Sequence, residues 1–77
     1  MEAAELLRTF DTERARGVER FAQAGTLDEL ETAQVDVMGR RSPLSAAQKA
    51  LGGLSEDDRR IVGKAANETR SALTEAL

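Results

Sequence analysis

The chain has 77 residues, a net charge of −3 and a hydrophobic fraction of 40%, which allows one small domain with a modest core. It contains neither Cys nor His, which excludes disulfides, zinc sites of the usual ligand set, and nucleophile–base pairs built on thiol or imidazole. No stretch approaches the roughly 18 apolar residues of a bilayer-crossing helix, and the N-terminus lacks the apolar core of a signal peptide. We therefore expect a non-enzymatic, cytoplasmic protein.

Charge is unevenly distributed along the chain. Residues 1–38 carry four basic and nine acidic side chains, a local net charge of −5. Residues 39–55 carry three basic side chains and no acidic one, whereas residues 56–77 have a net charge of −1. The middle of the chain is therefore a basic island between acidic or balanced flanks.

The first predicted element is a helix over residues 3–24. Its apolar residues recur at spacings compatible with one face of a helix: Leu6, Leu7, Phe10, Val18 and Phe21. Glu13 and Gly17 interrupt this pattern, and the glycine costs about 1 kcal/mol relative to Ala in a helix. We expect a continuous helix that Gly25 ends by taking the left-handed conformation.

The second predicted helix covers residues 27–38. Thr26 and Glu29 have the spacing of a capping box, in which hydroxyl and carboxylate each satisfy an early backbone donor. Leu27, Leu30, Val37 and Met38 form its apolar stripe, and Gly39 closes it.

Two further helices are predicted over residues 43–51 and 55–77. Ser42 and Ser55 are the expected N-caps, and Pro43 suits a first helical position because it has no N–H to lose. Gly52 and Gly53 separate the two helices. The last helix has a heptad-like seam of mostly small residues, to which Ile61 and Ala65 among others add width; the seam comprises Val62, Ala66, Thr69, Leu73 and Ala76.

These elements predict an all-α fold, with residues 1–77 as one domain. We expect an antiparallel helical hairpin or coiled coil in which the first and last helices pair head-to-tail, with the short helices and residues 39–54 at the bend. The last helix stops in mid-pattern, so we expect the chain to be part of something longer, as a cut domain or by descent.

Residues 27–70 resemble the N-terminal region of bacterial phenylalanyl-tRNA synthetase alpha subunits. The stretch reads LDELETAQVDVMGRRSPLSAAQKALGGLSEDDRRIVGKAANETR. The residues in register with the family pattern, without a gap, are Leu27, Leu30, Val35, Gly39, Arg40, Arg41, Leu44, Lys49, Leu51, Gly52, Leu54, Arg59, Gly63 and Asn67. The first helix fits this family only in general character, and Pro43 departs from its pattern.

The resemblance implies an antiparallel coiled-coil arm that contacts tRNA(Phe) and positions it for aminoacylation. In the family, the catalytic domain that uses ATP and Mg follows the arm, and a beta subunit completes the enzyme. No such catalytic domain is present in these 77 residues, so we expect neither aminoacylation nor a cofactor in this chain.

Six basic side chains are the candidate RNA contacts: Arg40, Arg41, Lys49, Arg59, Arg60 and Lys64. Guanidinium groups suit phosphate oxygens, and such contacts position a nucleic acid without reading its sequence. Arg40, Arg41 and Lys49 rank first because no acidic residue lies among them in sequence, whereas Asp57 and Asp58 offset the other three. The alternative interpretation is that all six are solvated surface charges.

The glycines, Asn67 and the two phenylalanines also have competing interpretations. None of the glycines belongs to a phosphate-binding motif, so we expect Gly39 and Gly52 to stop helices, and Gly63 to permit close helix approach. Asn67 either fixes the register between helices or is exposed. Phe10 and Phe21 are expected in the core, the alternative being stacking on bases.

Two function classes remain open from sequence. The first is the tRNA-binding arm. The second is a coiled-coil interaction module, which includes self-association and a standalone regulator derived from such an arm.

Overall fold

The computed structural model describes residues 2–77 and is all-α in that range. Four α-helices follow one another: α1 (Ala3–Gln23), α2 (Leu27–Met38), α3 (Pro43–Ala50) and α4 (Glu56–Ala76). A 3-10 turn, Leu51–Gly53, lies between α3 and α4. The predicted all-α class is confirmed.

Serine and threonine side chains start three of the four helices, as predicted. The hydroxyl of Thr26 accepts a hydrogen bond from the N–H of Glu29 at 3.1 Å, while the Glu29 carboxylate accepts from the N–H of Gly25 at 2.7 Å. Ser42 and Ser55 accept in the same way from the N–H groups of residues 45 and 58. Local polar chemistry therefore sets where α2, α3 and α4 begin.

Gly25 does not end α1 through a left-handed conformation, so that prediction is wrong. Ala24 already leaves the helix with extended backbone angles, φ −68° and ψ 123°. No glycine among residues 2–77 has a positive φ. The hydrogen bond from Gly25 to Glu29 holds the turn instead.

The four helices pack side by side as three segments, which we call limbs. The first limb is α1, the second is α2 together with α3, which run back along α1, and the third is α4. The antiparallel hairpin lies between α1 and α2, where Arg20 pairs with Asp36 and Gly17 meets Val37. α3 continues down α1. The assembly is a rod of 42 × 19 × 15 Å.

The first and last helices run in the same direction, which corrects the predicted head-to-tail pairing of the two long helices. The Thr69 hydroxyl donates to the Phe10 carbonyl oxygen at 3.5 Å, and Leu73 lies against Gly17. Both residue numbers rise together, so the helices are parallel. The reason is that residues 27–50 already form the descending limb, and α4 must then return alongside α1.

The core runs along the axis of the three limbs. Both phenylalanines are buried in it, as predicted, at 1% and 4% exposure. The seam of α4 is buried at Val62, Ala66, Thr69 and Leu73, whereas Ala76 is exposed. The remaining fully buried large residues are Leu6, Val37 and Leu44.

Gly17, not Gly63, is the glycine that permits close helix approach. A Cβ at position 17 would lie 2.7 Å from Val37 Cγ1 and nearer still to Leu73 Cδ2, which no packed core accommodates without moving. At Gly63 nothing lies within 4 Å of that position. The prediction for Gly63 is therefore wrong, because the glycine faces open space and not a neighbouring helix.

Candidate nucleic-acid interface

Arg40 and Arg41 lie in a tight turn that interrupts the descending limb. The Gly39 carbonyl oxygen accepts from both the N–H and the hydroxyl of Ser42, at 3.1 and 2.7 Å. Ser42 is itself buried, and its oxygen also caps α3. Because both ends of the turn are tied down, the backbone of the two exposed arginines between them is held at a fixed place on the surface.

Gly39 is required at the start of this turn. A Cβ at this position would collide with the carbonyl oxygen of Val35 and lie 3.2 Å from its carbonyl carbon. The N–H of Gly39 bonds to the same oxygen at 2.9 Å and completes the last turn of α2. The sequence-based expectation that Gly39 ends this helix is confirmed, with close backbone approach as the physical reason.

A shallow, open depression lies beside the turn. It is lined by Val35, Asp36, Arg40, Arg41 and Ser42. Its one carboxylate, that of Asp36, is paired with the Arg20 guanidinium of α1. Because Arg20 neutralises this acid, the two arginines of the turn give the depression a positive potential.

The six predicted RNA-contacting side chains are all exposed, but they fall into separate places. Arg40 and Arg41 share the depression at the turn. Arg59 and Arg60 line a second shallow depression, together with Glu56, at the start of α4. Lys49 near the end of α3 and Lys64 in α4 line neither of these depressions. The surface is therefore spread along the rod, and residues 39–54 are not gathered at a single bend.

The six candidate residues differ from most arginines of α1 in that they are largely without ion pairs. Arg14, Arg16 and Arg20 are each paired, with Asp11, Glu13 and Asp36 respectively. Within residues 2–77, five of the six candidates have no carboxylate oxygen within 4.0 Å; Arg60 alone pairs, with Glu56 at 3.6 Å.

That exception contributes little. The side chains of Arg60 and Glu56 are 78% and 80% exposed, so water and salt screen their attraction. The candidate surface is thus a set of exposed cations of which only Arg60 has a carboxylate partner within residues 2–77, and that pair is weak. This property could not be read from the sequence, where Asp57 and Asp58 stand beside Arg59 and Arg60.

Asn67 is exposed, so of its two predicted states the structure selects exposure. The polar contact across the seam comes from Thr69 instead. No group of three or more acidic side chains in residues 2–77 is arranged to hold a metal ion. None of the helices there has both the length and the hydropathy needed to cross a bilayer.

Comparison with known proteins shows the family to which the chain is similar. Residues 25–77 match the model for the N-terminal domain of class II aminoacyl-tRNA synthetases. The match begins at Gly25 and takes in α2, α3 and α4, whereas α1 lies before it.

Individual relatives agree with the family match. The chain is 36% identical over 64 residues to a phenylalanine–tRNA ligase alpha subunit of Enterococcus faecalis, covering 83% of this chain and 18% of the relative. It is 41% identical over 63 residues to that of Xanthomonas campestris pv. campestris, covering 82% and 19%. For Mycolicibacterium vanbaalenii the identity is 47% over 51 residues, covering 66% and 15%.

The chain therefore spans about a fifth or less of the length of these alpha subunits. No solved structure matches it. The matched region nonetheless covers most of the chain and includes every one of the six candidate cations. The chain belongs to the family of aminoacyl-tRNA synthetase class II N-terminal domains, the kind carried by phenylalanine–tRNA ligase alpha subunits.

Proposed function

We propose that this protein binds tRNA as a helical arm and holds tRNA(Phe) for aminoacylation by a catalytic domain outside these residues. The observation that carries the proposal is the fixed turn bearing Arg40 and Arg41, whose neighbouring acid Asp36 is neutralised by Arg20. Family membership supplies the class of ligand. We expect ATP and Mg to act in that catalytic domain. The expected partner protein is the beta subunit of the ligase, and the expected location is the cytoplasm.

The physical mechanism is electrostatic positioning. Guanidinium groups form paired hydrogen bonds to phosphate oxygens, and each such interaction releases counterions from the RNA. The rod of 42 Å carries its free cations at several points, so an RNA held by them is fixed in orientation as well as in place. Because phosphates are common to all sequences, we expect similar affinity for different tRNAs.

The test is binding of tRNA to the full 77-residue protein, measured by fluorescence anisotropy over a range of salt concentrations. We expect Arg40→Glu/Arg41→Glu to weaken binding at least about tenfold, and to reduce the salt slope by about 1 for each phosphate that the variant no longer neutralises. The matched control is Arg8→Glu/Arg70→Glu, which changes the net charge equally at two exposed arginines outside the turn that, like Arg40 and Arg41, form no ion pair within residues 2–77. Equal reductions in affinity for the two double variants would show that only net charge matters and would contradict the proposed role of the turn.

A second candidate function, a protein-interaction module, is favoured by the outer face of α2. Leu27 and Val35 are 79% and 67% exposed there, and α2 carries four acidic residues and no basic one. Sedimentation over a concentration series separates the two functions. A monomer that binds tRNA contradicts obligate self-assembly, whereas assembly that Val35→Gln abolishes, with no tRNA binding, contradicts the arm.

A further inference from the structure

The side of the bundle that α1 and α4 form together carries an apolar surface outside the core. Its apolar members are exposed or partly exposed: Ala4, Leu7 and Val18 of α1, and Ile61, Ala65 and Ala72 of α4. A shallow depression joins the two halves, and its charged lining residues are Asp11, Arg14 and Glu68. We call this surface the α1/α4 face. It points away from the second limb, because Val18 projects from nearly the opposite side of α1 to Arg20, which pairs with α2.

The α1 half of the face is self-complementary in an antiparallel arrangement. About the midpoint between residues 12 and 13, Leu7 and Val18 lie 5.5 positions to either side, and Asp11 and Arg14 lie 1.5 positions to either side. If two copies of α1 run in opposite directions past this midpoint, Leu7 meets Val18 and Asp11 meets Arg14 across the contact. The Asp11 and Arg14 side chains are paired with each other at 3.1 Å but stay 76% and 48% exposed, so both can reach a second copy.

The charges along the two edges of the face follow the same order. On the α1 edge, exposed Arg8 precedes exposed Glu19 by 11 residues, and on the α4 edge, exposed Lys64 precedes exposed Glu75 by 11 residues. Eleven residues are about three helical turns, so the members of each pair lie on one line of their helix. In an antiparallel pair of copies, each of these cations comes beside the carboxylate on the same edge of the other copy.

The centre of the face also fits an antiparallel pair. The hydrogen bond and the side-chain contact that join α1 to α4 place the middle of α4, near residue 70, about level with residues 12 and 13. Glu68 lines the same depression as Asp11, so Arg14 of a second copy approaches both carboxylates. A parallel pair of copies would instead bring Asp11 to Asp11 and Arg14 to Arg14, and these like charges would repel.

We infer that two copies of this protein associate through their α1/α4 faces, antiparallel, about a twofold axis at the middle of α1. A twofold contact uses the same patch on both copies, so every pairing described above occurs twice. Residues 4–22 span about 27 Å of α1 at about 1.5 Å per residue. Because the contact is short and contains many alanines, the dimer is weak. It leaves the turn of Arg40 and Arg41 uncovered, since that turn lies on the second limb.

The test is charge reversal in the full 77-residue protein, followed by sedimentation velocity from about 10 μM to about 1 mM, a range suited to weak association. We expect the wild type to pass from monomer to dimer in this range. Asp11→Arg gives each copy two central cations, and Arg14→Asp gives each copy two additional-side carboxylates at the same place, so each variant alone should raise the dissociation constant at least about tenfold. An equimolar mixture of the two variants should form a heterodimer about as tight as the wild-type dimer, because every cation at positions 11 and 14 then meets a carboxylate.

Two simpler explanations give different results. Asp11→Arg brings the net charge of −3 two units closer to zero, so it would favour association if only net charge mattered. Loss of the ion pair within α1 cannot explain recovery in the mixture, because mixing does not restore a pair within one chain.

The matched apolar variants are Val18→Gln and Val35→Gln. Val18 is 39% exposed on the α1/α4 face, whereas Val35 is 67% exposed on α2. Val18→Gln should raise the dissociation constant at least about threefold, and Val35→Gln should leave it unchanged. Circular dichroism confirms that each variant keeps its helices. A wild type that stays monomeric throughout the range, a mixture no tighter than its components, or a dimer that only Val35→Gln weakens would overturn the inference.

This inference does not depend on tRNA binding, and the failures of the two proposals are distinguishable. If the wild type dimerises as described but binds no tRNA, the α1/α4 contact stands and the proposed function is wrong. If the wild type stays monomeric and Arg40→Glu/Arg41→Glu weakens tRNA binding as expected, the proposed function stands and the inferred dimer is wrong.

Discussion

The two helical glycines, Gly17 and Gly63, should respond oppositely to the same substitution. Both lie inside 21-residue helices, so an added methyl group brings the same intrinsic gain of about 1 kcal/mol over Gly in each. Only the surroundings differ. A new Cβ at position 17 would be 2.7 Å from Val37 Cγ1, against the 3.4–4 Å of ordinary contact, whereas one at position 63 meets nothing within 4 Å.

The magnitudes follow from these distances. Overpacking a close-packed core costs about 1–3 kcal/mol, so Gly17→Ala should lose about 1 kcal/mol net once the helix gain is subtracted. Gly63→Ala should gain about 0.5–1 kcal/mol. For a domain of this size, 1 kcal/mol corresponds to about 4–8 °C in Tm, so the two variants should lie on either side of the wild type.

The assay is urea and thermal unfolding followed by circular dichroism, with equal m-values required for the comparison. A second background sharpens it. Val37→Ala removes the Cγ1 atom that crowds the new methyl group, so the cost of Gly17→Ala should shrink by at least about 0.5 kcal/mol there. If Gly17→Ala raised Tm as Gly63→Ala does, the packing between the three limbs would not be as tight as the structure has it.

Two further variants test the start of α2 and the electrostatics of the turn. Thr26→Ala should lower the free energy of unfolding by about 1 kcal/mol in a urea titration, because the N–H of Glu29 loses its acceptor. The control is Thr32→Ala in the middle of the same helix, where the threonine is exposed, and it should change the free energy of unfolding by less than about 0.5 kcal/mol. Arg20→Gln should lower tRNA affinity several-fold through the freed Asp36 carboxylate, and Arg20→Gln/Asp36→Asn should restore it; a reduced affinity that persists in the double variant would assign Arg20 a different role.

The beginnings of the helices could be predicted from the sequence because they depend on neighbours in the chain. Thr26, Ser42 and Ser55 each accept from an N–H three residues ahead, and that spacing is visible without coordinates. The end of α1 was harder to predict. Glycine often ends a helix by taking the left-handed conformation, whereas here the N–H of Gly25 bonds to the carboxylate of Glu29. The sequence is compatible with both conformations.

The direction of α4 could not be predicted, because it depends on how far the descending limb reaches. Helix periodicity identifies the buried face of α4. It identifies neither the helix against which that face packs nor whether the two helices run parallel or antiparallel. The same limit explains the two glycines. In the sequence, Gly17 interrupts the apolar pattern of α1. In the structure it is buried against Val37 and Leu73, which are 20 and 56 positions away in the chain.

Glu13 shows the same limit for a charged residue. It is 7% exposed and occupies the inner face of α1 between Phe10 and Gly17, where the sequence indicated only an interruption. Its carboxylate accepts from Arg16 at 3.1 Å, so the buried charge is compensated by a residue of the same helix. The pair could be proposed from its spacing of three residues, but its burial could not.

The sequence names the cations of the candidate site as a prediction, but it does not predict their arrangement. An acid-free segment with Arg40 and Arg41 indicates where a polyanion would bind, and the structure leaves both side chains exposed. Whether Asp36, four residues earlier, cancels this charge depends on a residue in another limb. The sequence cannot show that Arg20 reaches it.

The position of α1 shows how the charge beside the turn depends on a distant part of the chain. α1 precedes the family match, which begins at Gly25, yet it contacts each of the other three helices. Three of its four arginines are committed to carboxylates, so α1 adds little free positive charge of its own. One of those pairs crosses to α2 and removes an acid from beside the turn. A chain reduced to the matched residues would therefore lose the packing partner of α4 and expose the Asp36 charge in one step. For this reason the exposed cations of residues 39–64 and the first helix belong to one electrostatic arrangement, in which Arg20 of α1 neutralises the acid beside the turn.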